Sequence, residues 1–139
     1  MKVKDAMHKV AEWIGPDTLI TEIAKKMHEL DIGAMPVGEN DRLVGMVTDR
    51  DITCRGVASG KDCAKLTARD VMTADIVFCH DTQDLDDAVR IMEQKKLRRP
   101  PVIDEHKRMV GMLSLGDISH SAPRQLTGEV MAALSAHHN

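Results

Sequence analysis

The sequence predicts an α/β (α+β) fold made of two β-α-β-β-α repeats that pack sheet to sheet with pseudo-two-fold symmetry. The same short motifs occur twice in the same order along the 139 residues. Each copy also alternates helical and strand patterns in that order. A half of about 60 residues buries too little surface to be stable by itself. The two sheets are therefore expected to pack on each other and to leave two related clefts between the halves, where small ligands usually bind.

The internal repeat has an offset of 65 residues, which becomes 66 after one extra residue in the loop at 103–109. The matching features are VKDAM at 3–7 with ARDVM at 68–72, Met27 with Met92, Pro36-Val37 with Pro101-Val102, GMVT at 45–48 with GMLS at 111–114, and Asp51-Ile52 with Asp117-Ile118. Conserved order over most of the chain indicates a duplication.

The first copy begins with a short strand at 12–14 and a turn at 15–18, in which Thr18 is a candidate helix N-cap. A helix follows, and its apolar face consists of residues at helical spacing, namely Leu19, Ile23, Met27 and Leu30. Strands are predicted at 34–37 and 43–47, around a turn at 39–41. A second helix is predicted at 49–58, and Gly60 marks its end.

The second copy predicts the same elements in the same order. A strand at 76–79 precedes a helix capped by Asp81-Thr82, whose apolar face contains Leu85, Ala88, Val89 and Met92. Strands at 102–103 and 109–113 and a short helix from Leu115 follow. A last amphipathic helix is predicted at 124–136, with one apolar side formed by Leu126, Val130, Met131 and Leu134. The predicted organisation is a first repeat at 1–60, a linker at 61–67, a second repeat at 68–121, and a C-terminal helix and tail at 122–139.

Composition excludes several classes of function. A net charge of −3 and the lack of any long apolar run predict no binding to nucleic acid and no membrane span. The first ten residues lack the apolar stretch of a signal peptide, so a cytoplasmic location is expected. Three cysteines, Cys54, Cys63 and Cys79, without CxxC spacing argue against a disulfide framework and a zinc ribbon.

Catalytic and metal chemistry are not expected. The histidines lack ligand spacing, and the adjacent pair His137-His138 falls in a tail that is expected to fray. No Ser-His-Asp order and no Gly-rich phosphate loop can be identified. The prediction is therefore that the protein is not an enzyme and has no metal site.

Polar residues repeat where the second hairpin strand of each copy leads into a helix. They are Thr48-Asp49-Arg50-Asp51 in the first copy and Ser114-Leu115-Gly116-Asp117 in the second. A hydroxyl residue followed three positions later by an acid is a common helix-capping pattern. The same pair could bind a nucleotide, with the carboxylate accepting hydrogen bonds from ribose hydroxyls and the Ser/Thr hydroxyl contacting phosphate. The two interpretations are compatible.

With these motifs the repeat resembles the cystathionine β-synthase (CBS) domain, which occurs as tandem pairs called Bateman modules. The matching residues are MPV at 35–37 with GMVTDRDI at 45–52, and PPV at 100–102 with GMLSLGDI at 111–118. The resemblance covers residues 1 to about 121. The TDRDI segment is similar to that of small stand-alone bacterial CBS-pair proteins, including the hypoxia-response group.

The resemblance implies a regulatory module that binds an adenosyl ligand such as AMP, ADP, ATP, NAD or S-adenosylmethionine, with no catalytic cofactor. Thr48 and Asp51 would serve one cleft, and Ser114 and Asp117 the other. The base would lie against the first strand of each copy, near Ile14 and near Val77-Phe78. A homodimer is implied as well, and an unidentified effector protein could read the signal.

The phosphate side of the two clefts is expected to differ. Arg98-Arg99 precedes the PPV strand, where CBS domains that sense adenylates often have basic residues, and guanidinium groups bind phosphate through paired hydrogen bonds. The equivalent residues of the first copy are Gly33-Ala34, although Arg50 could supply a positive group there. The alternative for Arg98-Arg99 is the solvated end of a basic run. The alternative for the whole chain is a ligand-free stress-response or interaction protein that acts through its dimer surface.

Overall fold

The computed structural model describes residues 1–9 and 12–136, and these residues form two compact units. The contiguous unit comprises residues 12–76, and the discontinuous unit combines residues 1–9 with residues 77–136. Each unit contains helices and a small sheet. The predicted mixed fold class is therefore confirmed.

The contiguous unit is built on a hairpin and one long helix. Its elements are α2 (Ile20–Leu30), β1 (Ala34–Glu39), β2 (Arg42–Thr48), α3 (Asp49–Asp51) and α4 (Ala68–Val71). The hairpin is antiparallel, with Ala34 opposite Thr48. Helical backbone continues beyond α3 as a π-helical segment, Ile52–Gly56, and a 3-10 turn, Val57–Ser59. Gly60 then ends this helical stretch with a φ of 75°, the left-handed conformation that glycine commonly adopts at the C-terminal end of a helix.

Three details of this unit differ from the sequence predictions. The strand at 12–14 is reduced to one parallel bridge between Ile14 and Val37, because the turn at Gly15-Pro16 follows directly. Helix α2 is capped by Leu19 instead of Thr18, whose hydroxyl accepts the Gly15 N–H. Leu19 and Leu30 are 41% and 46% exposed, so the buried face of α2 is Ile20, Ile23 and Met27.

The discontinuous unit combines four helices with a three-stranded sheet. Its elements are α1 (Val3–Ala6), β3 (Cys79–His80), α5 (Leu85–Lys95), β4 (Pro101–Ile103), β5 (Met109–Met112), α6 (Leu115–Ser121) and α7 (Arg124–Ser135). Strand β3 is parallel to β4, and β4 is antiparallel to β5.

The helices of this unit largely follow their predicted faces. The predicted apolar residues of α5 are all buried. The cap of α5 is Asp84 and not Asp81-Thr82, because the Asp81 N–H donates to the Ile103 carbonyl next to β3. In α7, Val130 and Leu134 enter the core, whereas Met131 is 48% exposed.

The repeated segments α1 and α4 fill equivalent places in different units. Helix α1 contributes Val3 and Ala6 to the core of the discontinuous unit. Helix α4 contributes Ala68 and Val71 to the core of the contiguous unit. Each unit therefore contains one such segment. In the discontinuous unit, α1 is separated in sequence from the rest of the unit by the whole contiguous unit.

Within residues 1–9 and 12–136, no helix combines the length and the apolar composition that crossing a membrane requires.

Candidate functional site

Thr48 and Asp51 form a closed hydrogen-bonded pair where β2 leads into α3. The Thr48 N–H donates to Oδ2 of Asp51 at 2.9 Å, and Oγ1 of Thr48 accepts the Asp51 N–H at 3.1 Å. This is the capping arrangement that the sequence pattern predicts. Asp51 is half-buried.

Ser114 and Asp117 form the same pair where β5 leads into α6. The Ser114 N–H donates to Oδ2 of Asp117 at 2.9 Å, and Oγ of Ser114 accepts the Asp117 N–H at 3.1 Å. The matching distances show that the two repeats adopt the same local geometry. The leucine and glycine that replace Asp49 and Arg50 do not disturb it.

Asp117 has one further partner. Nδ1 of His8 lies 2.7 Å from its Oδ2 atom. His8 is separated from Asp117 by 109 positions, and the sequence analysis did not single it out as a site residue. The residue that corresponds to His8 by the repeat offset is Thr73. Comparing the two copies at this position is the one sequence signal that could have indicated a difference between the Asp51 and Asp117 pairs.

The pattern of a hydroxyl residue and an acid also occurs at a third place. Thr67 precedes α4, and both its N–H and its hydroxyl donate to Oδ2 of Asp70, at 2.8 and 3.2 Å. A Thr-x-x-Asp sequence is thus a general helix start in this chain. The position at the end of the second hairpin strand, and not the motif alone, distinguishes the candidate pairs.

The basic residues lie at the same sheet edge as Ser114. Strand β4 pairs with β5 with Pro101 opposite Met112, and the Leu113 N–H donates to the Pro100 carbonyl at 3.0 Å. Arg98 and Arg99 form a bend directly before Pro100. Both Arg98 and Arg99 are exposed, and neither guanidinium makes a hydrogen bond or ion pair to the part of the chain that the structure describes.

The same register in the contiguous unit places Ala34 opposite Thr48. The Asp49 N–H donates to the Gly33 carbonyl at 2.9 Å, and Oδ1 of Asp49 accepts the Arg50 N–H. Arg50 is exposed and is the cation nearest in sequence to Thr48. The two units therefore share the capping pair at these junctions but differ in the nearby cations and in the backbone bond to Gly33, which has no counterpart at Arg98 among the described residues.

The residues expected near a base differ between the units. Ile14 is buried, and its N–H and C=O are bonded to Pro36 and Gly38 in β1. Beside it, the Trp13 ring contacts Gly38 and lines an open cavity of about 270 Å³ together with Asn40 and Asp41.

Val77 and Phe78 are half-buried immediately before β3. The Phe78 ring meets the His80 ring edge-on at 5.9 Å, and Nζ of Lys107 lies 6.0 Å from its centroid. An aromatic face in this place can stack with a planar ligand.

The shifted pKa values occur away from these pairs. The hydrogen bond to Lys2 lowers the pKa of Asp84, and the same contact raises the pKa of Lys2. The backbone N–H of Arg108 lowers the pKa of Asp104. Burial raises the pKa of the Cys79 thiol to about 11. Among the described residues, no three His, Cys, Asp or Glu side chains converge as a metal site would require; His137-His138 lies outside them.

The sequence and the two-unit fold together define a CBS domain protein. The CBS domain family matches residues 3–55 and 68–123, and the chain belongs to this family. It is 35% identical to hypoxic response protein 1 of Mycobacterium tuberculosis over 132 residues, which is 94% of this chain and 92% of that protein.

Solved structures show the same fold. The crystal structure of hypoxic response protein 1 with two coordinated zinc ions has a TM-score of 0.77 at 36% identity, and the match covers 86% of this chain and 98% of that one. CBSX2 in complex with AMP has a TM-score of 0.75 at 26% identity, covering 87% and 95% of the two chains. The CBS domain pair of protein MJ0100, in complex with 5′-methylthioadenosine and S-adenosyl-L-methionine, has a TM-score of 0.76 at 27% identity, with 86% and 98% covered.

Proposed function

We propose that this protein is a regulatory, non-catalytic module that binds an adenosyl ligand at the Ser/Thr-x-x-Asp pairs of its two repeats. The observation that carries the proposal is the duplicated pair of a hydroxyl and a carboxylate at the end of a hairpin strand, with matching hydrogen bonds in both copies. Relatives with this fold bind AMP or S-adenosylmethionine, and both contain an adenine base and a ribose.

The chemistry of the pair suits a ribose. An ionised carboxylate only accepts hydrogen bonds and offers about four lone-pair directions on two oxygens. In Asp51, the cap uses one direction on Oδ2. The remaining directions can accept the two hydroxyls of a ribose while the cap stays intact. Helix capping and ligand binding therefore do not compete for the same lone pair.

The basic residues suit a phosphate. Arg98 and Arg99 directly precede Pro100, whose carbonyl accepts the Leu113 N–H, and both arginines are exposed. A phosphorylated adenosyl ligand would receive charge-assisted hydrogen bonds from these guanidinium groups. In the contiguous unit, Arg50 is the corresponding candidate. We therefore expect AMP, ADP, ATP or NAD to depend on the arginines more than S-adenosylmethionine does.

Ligand binding would be transmitted through a change in how the protein assembles with a second copy or with a partner. A ligand that binds one arrangement of the protein better than another shifts the population toward it. The proposed readout is a change in the geometry of a homodimer or in the binding of an effector protein in the cytoplasm. The competing function is a ligand-free interaction protein, in which the two carboxylates serve only as helix caps.

Thermal unfolding with added ligand distinguishes these two functions. A ligand that binds only the native state must raise the unfolding temperature. We expect at least one of AMP, ATP, NAD or S-adenosylmethionine to do so at millimolar concentration. Asp51→Ala and Asp117→Ala, tested separately, should each reduce the shift, whereas His106→Ala at an exposed turn should not. No shift with any of the four ligands would support the ligand-free function.

A further inference from the structure

His8 makes the two carboxylates unequal. Oδ2 of Asp117 accepts the Ser114 N–H and also lies 2.7 Å from Nδ1 of His8. Among the described residues, Oδ2 of Asp51 receives only the Thr48 N–H. The repeat counterpart of His8 is Thr73, and the structure gives it backbone bonds to Met46 but no side-chain bond to Asp51.

The backbone of His8 is fixed against β5. The His8 N–H donates to the Met112 carbonyl at 3.0 Å, and the Met112 N–H donates to the His8 carbonyl at 2.9 Å. Met112 is two residues before Ser114, so this pairing brings the imidazole to the start of α6. Thr73 and Met46 make the same two bonds, at 2.9 and 3.0 Å, two residues before Thr48. The side chains of His8 and Thr73 therefore extend from equivalent backbone positions, but the imidazole is longer than the threonine side chain and has different hydrogen-bonding groups.

The contact with His8 should make Asp117 bind a ligand differently from Asp51, because each carboxylate oxygen can accept only a few hydrogen bonds. A carboxylate oxygen accepts about two hydrogen bonds. Because a carboxylate only accepts hydrogen bonds, Nδ1 of His8 must be the donor in its contact with Asp117. Together with the Ser114 N–H it fills Oδ2, so only Oδ1 remains for a ligand. A vicinal diol binds a carboxylate best when each hydroxyl donates to its own oxygen. Asp51 offers both oxygens to the diol, and Asp117 offers one.

We infer that His8 is a specificity-determining residue that restricts a vicinal diol at Asp117 to Oδ1 and thereby makes Asp51 the stronger diol-binding carboxylate. The inference rests on the proposed function, because the diol is the ribose of the adenosyl ligand. The inference adds a residue that lies outside the Ser/Thr-x-x-Asp motif and whose type is not repeated in the other copy.

The test isolates the Asp117 pair in the full chain. Asp51→Ala removes the other carboxylate, and AMP is titrated by calorimetry. Adding His8→Thr, which places the residue of the other repeat at this position, should tighten AMP binding by about threefold to tenfold, the worth of one net hydrogen bond. The gain should be absent for 2′-deoxy-AMP, which lacks one of the two hydroxyls. Adding His106→Ala instead should change neither affinity.

The outcomes separate this inference from the proposed function. AMP binding that His8→Thr leaves unchanged or weakens, or an equal gain for 2′-deoxy-AMP, overturns the inference alone. Failure of AMP to bind the wild-type protein and every variant overturns both. If the His8→Thr protein does not fold, Thr73→His in an Asp117→Ala background takes its place. That variant should weaken AMP binding by a similar factor, and an unchanged affinity overturns the inference.

Discussion

The carbonyl oxygen of His8 lies 2.6 Å from the position that a Cβ atom would occupy at Gly111. Sδ of Met7 lies 2.8 Å from the same position. The corresponding glycine of the other repeat, Gly45, has Sδ of Met72 at 2.6 Å and the Thr73 carbonyl oxygen at 3.2 Å. A side chain at Gly111 would thus meet fixed backbone, whereas one at Gly45 would first meet the flexible Met72 side chain.

We expect Gly111→Ala to destabilise the protein by about 1–3 kcal/mol, the usual cost of forcing extra atoms into a packed site. The backbone of His8 cannot move aside without breaking its two bonds to Met112. Urea denaturation measures the change. The matched control is Gly128→Ala in α7, where nothing lies within 4 Å of the added Cβ. That substitution should stabilise the helix by up to about 1 kcal/mol, and an equal loss from both would contradict the packing argument.

Leu134→Ala should cost about 2–5 kcal/mol, because truncating a buried leucine removes apolar burial and leaves a cavity. Leu134 is 5% exposed in the core of the discontinuous unit. Met131→Ala, three residues earlier on α7, removes a half-exposed side chain and should change stability by less than about 0.5 kcal/mol. Chemical denaturation of the two variants compares the faces directly. Equal effects would mean that α7 is not packed by the face containing Leu134.

Thr48→Ala should lower stability by about 0.5–2 kcal/mol through loss of the N-cap and should also weaken AMP binding. Thr67→Ala removes a hydroxyl from a similar helix start and provides the control. It should affect stability alone, because Thr67 is not at a candidate pair. Calorimetric titration with AMP, after each variant is shown to be folded, separates the two effects. Weaker AMP binding by the Thr67→Ala protein would argue that the hydroxyl acts only through helix stability.

Stability should fall as the pH rises from about 9 toward 11, and Cys79 should contribute to this decline. Burial raises the pKa of its thiol from 9.0 to about 11. In this range the unfolded chain has released the thiol proton and the native chain retains it, so the unfolded state binds fewer protons and the free energy of unfolding decreases.

The comparison of wild-type and Cys79→Ala proteins between pH 8 and 11 measures this contribution. The variant should lose stability less steeply with pH, while titrating lysines affect both proteins alike. At pH 8, iodoacetamide should modify the exposed Cys54 before Cys79. Parallel pH profiles for the two proteins would show that Cys79 does not titrate as described.

Local patterns predicted the local structure of this chain well. The duplicated motifs, the hairpins and the buried face of α5 follow from periodicity and from turn residues. The errors arose where a tertiary contact decides. Leu30 completes a helical stripe in sequence but remains exposed, and Asp84 replaces Asp81 as a cap because Asp81 is bonded to the end of β4.

The candidate pairs were predictable, but the asymmetry between them was not. Thr48, Asp51, Ser114 and Asp117 follow from the repeat, and their hydrogen bonds confirm the helix-capping interpretation. The contact between His8 and Asp117 joins residues that are 109 positions apart in sequence. The segments VKDAM and ARDVM are so alike that periodicity does not indicate which copy each one packs against.

The placement of α1 and α4 has a consequence for the order of events on the ribosome. All of the contiguous unit has been synthesised once residue 76 is added, so its core can close while translation continues. Val3 and Ala6 are made before the contiguous unit, but they share a core with Leu113, Ile118 and Val130, which are made after it. The earlier segment must therefore wait for the later one, and His8 can contact Asp117 only after residue 117 has been synthesised.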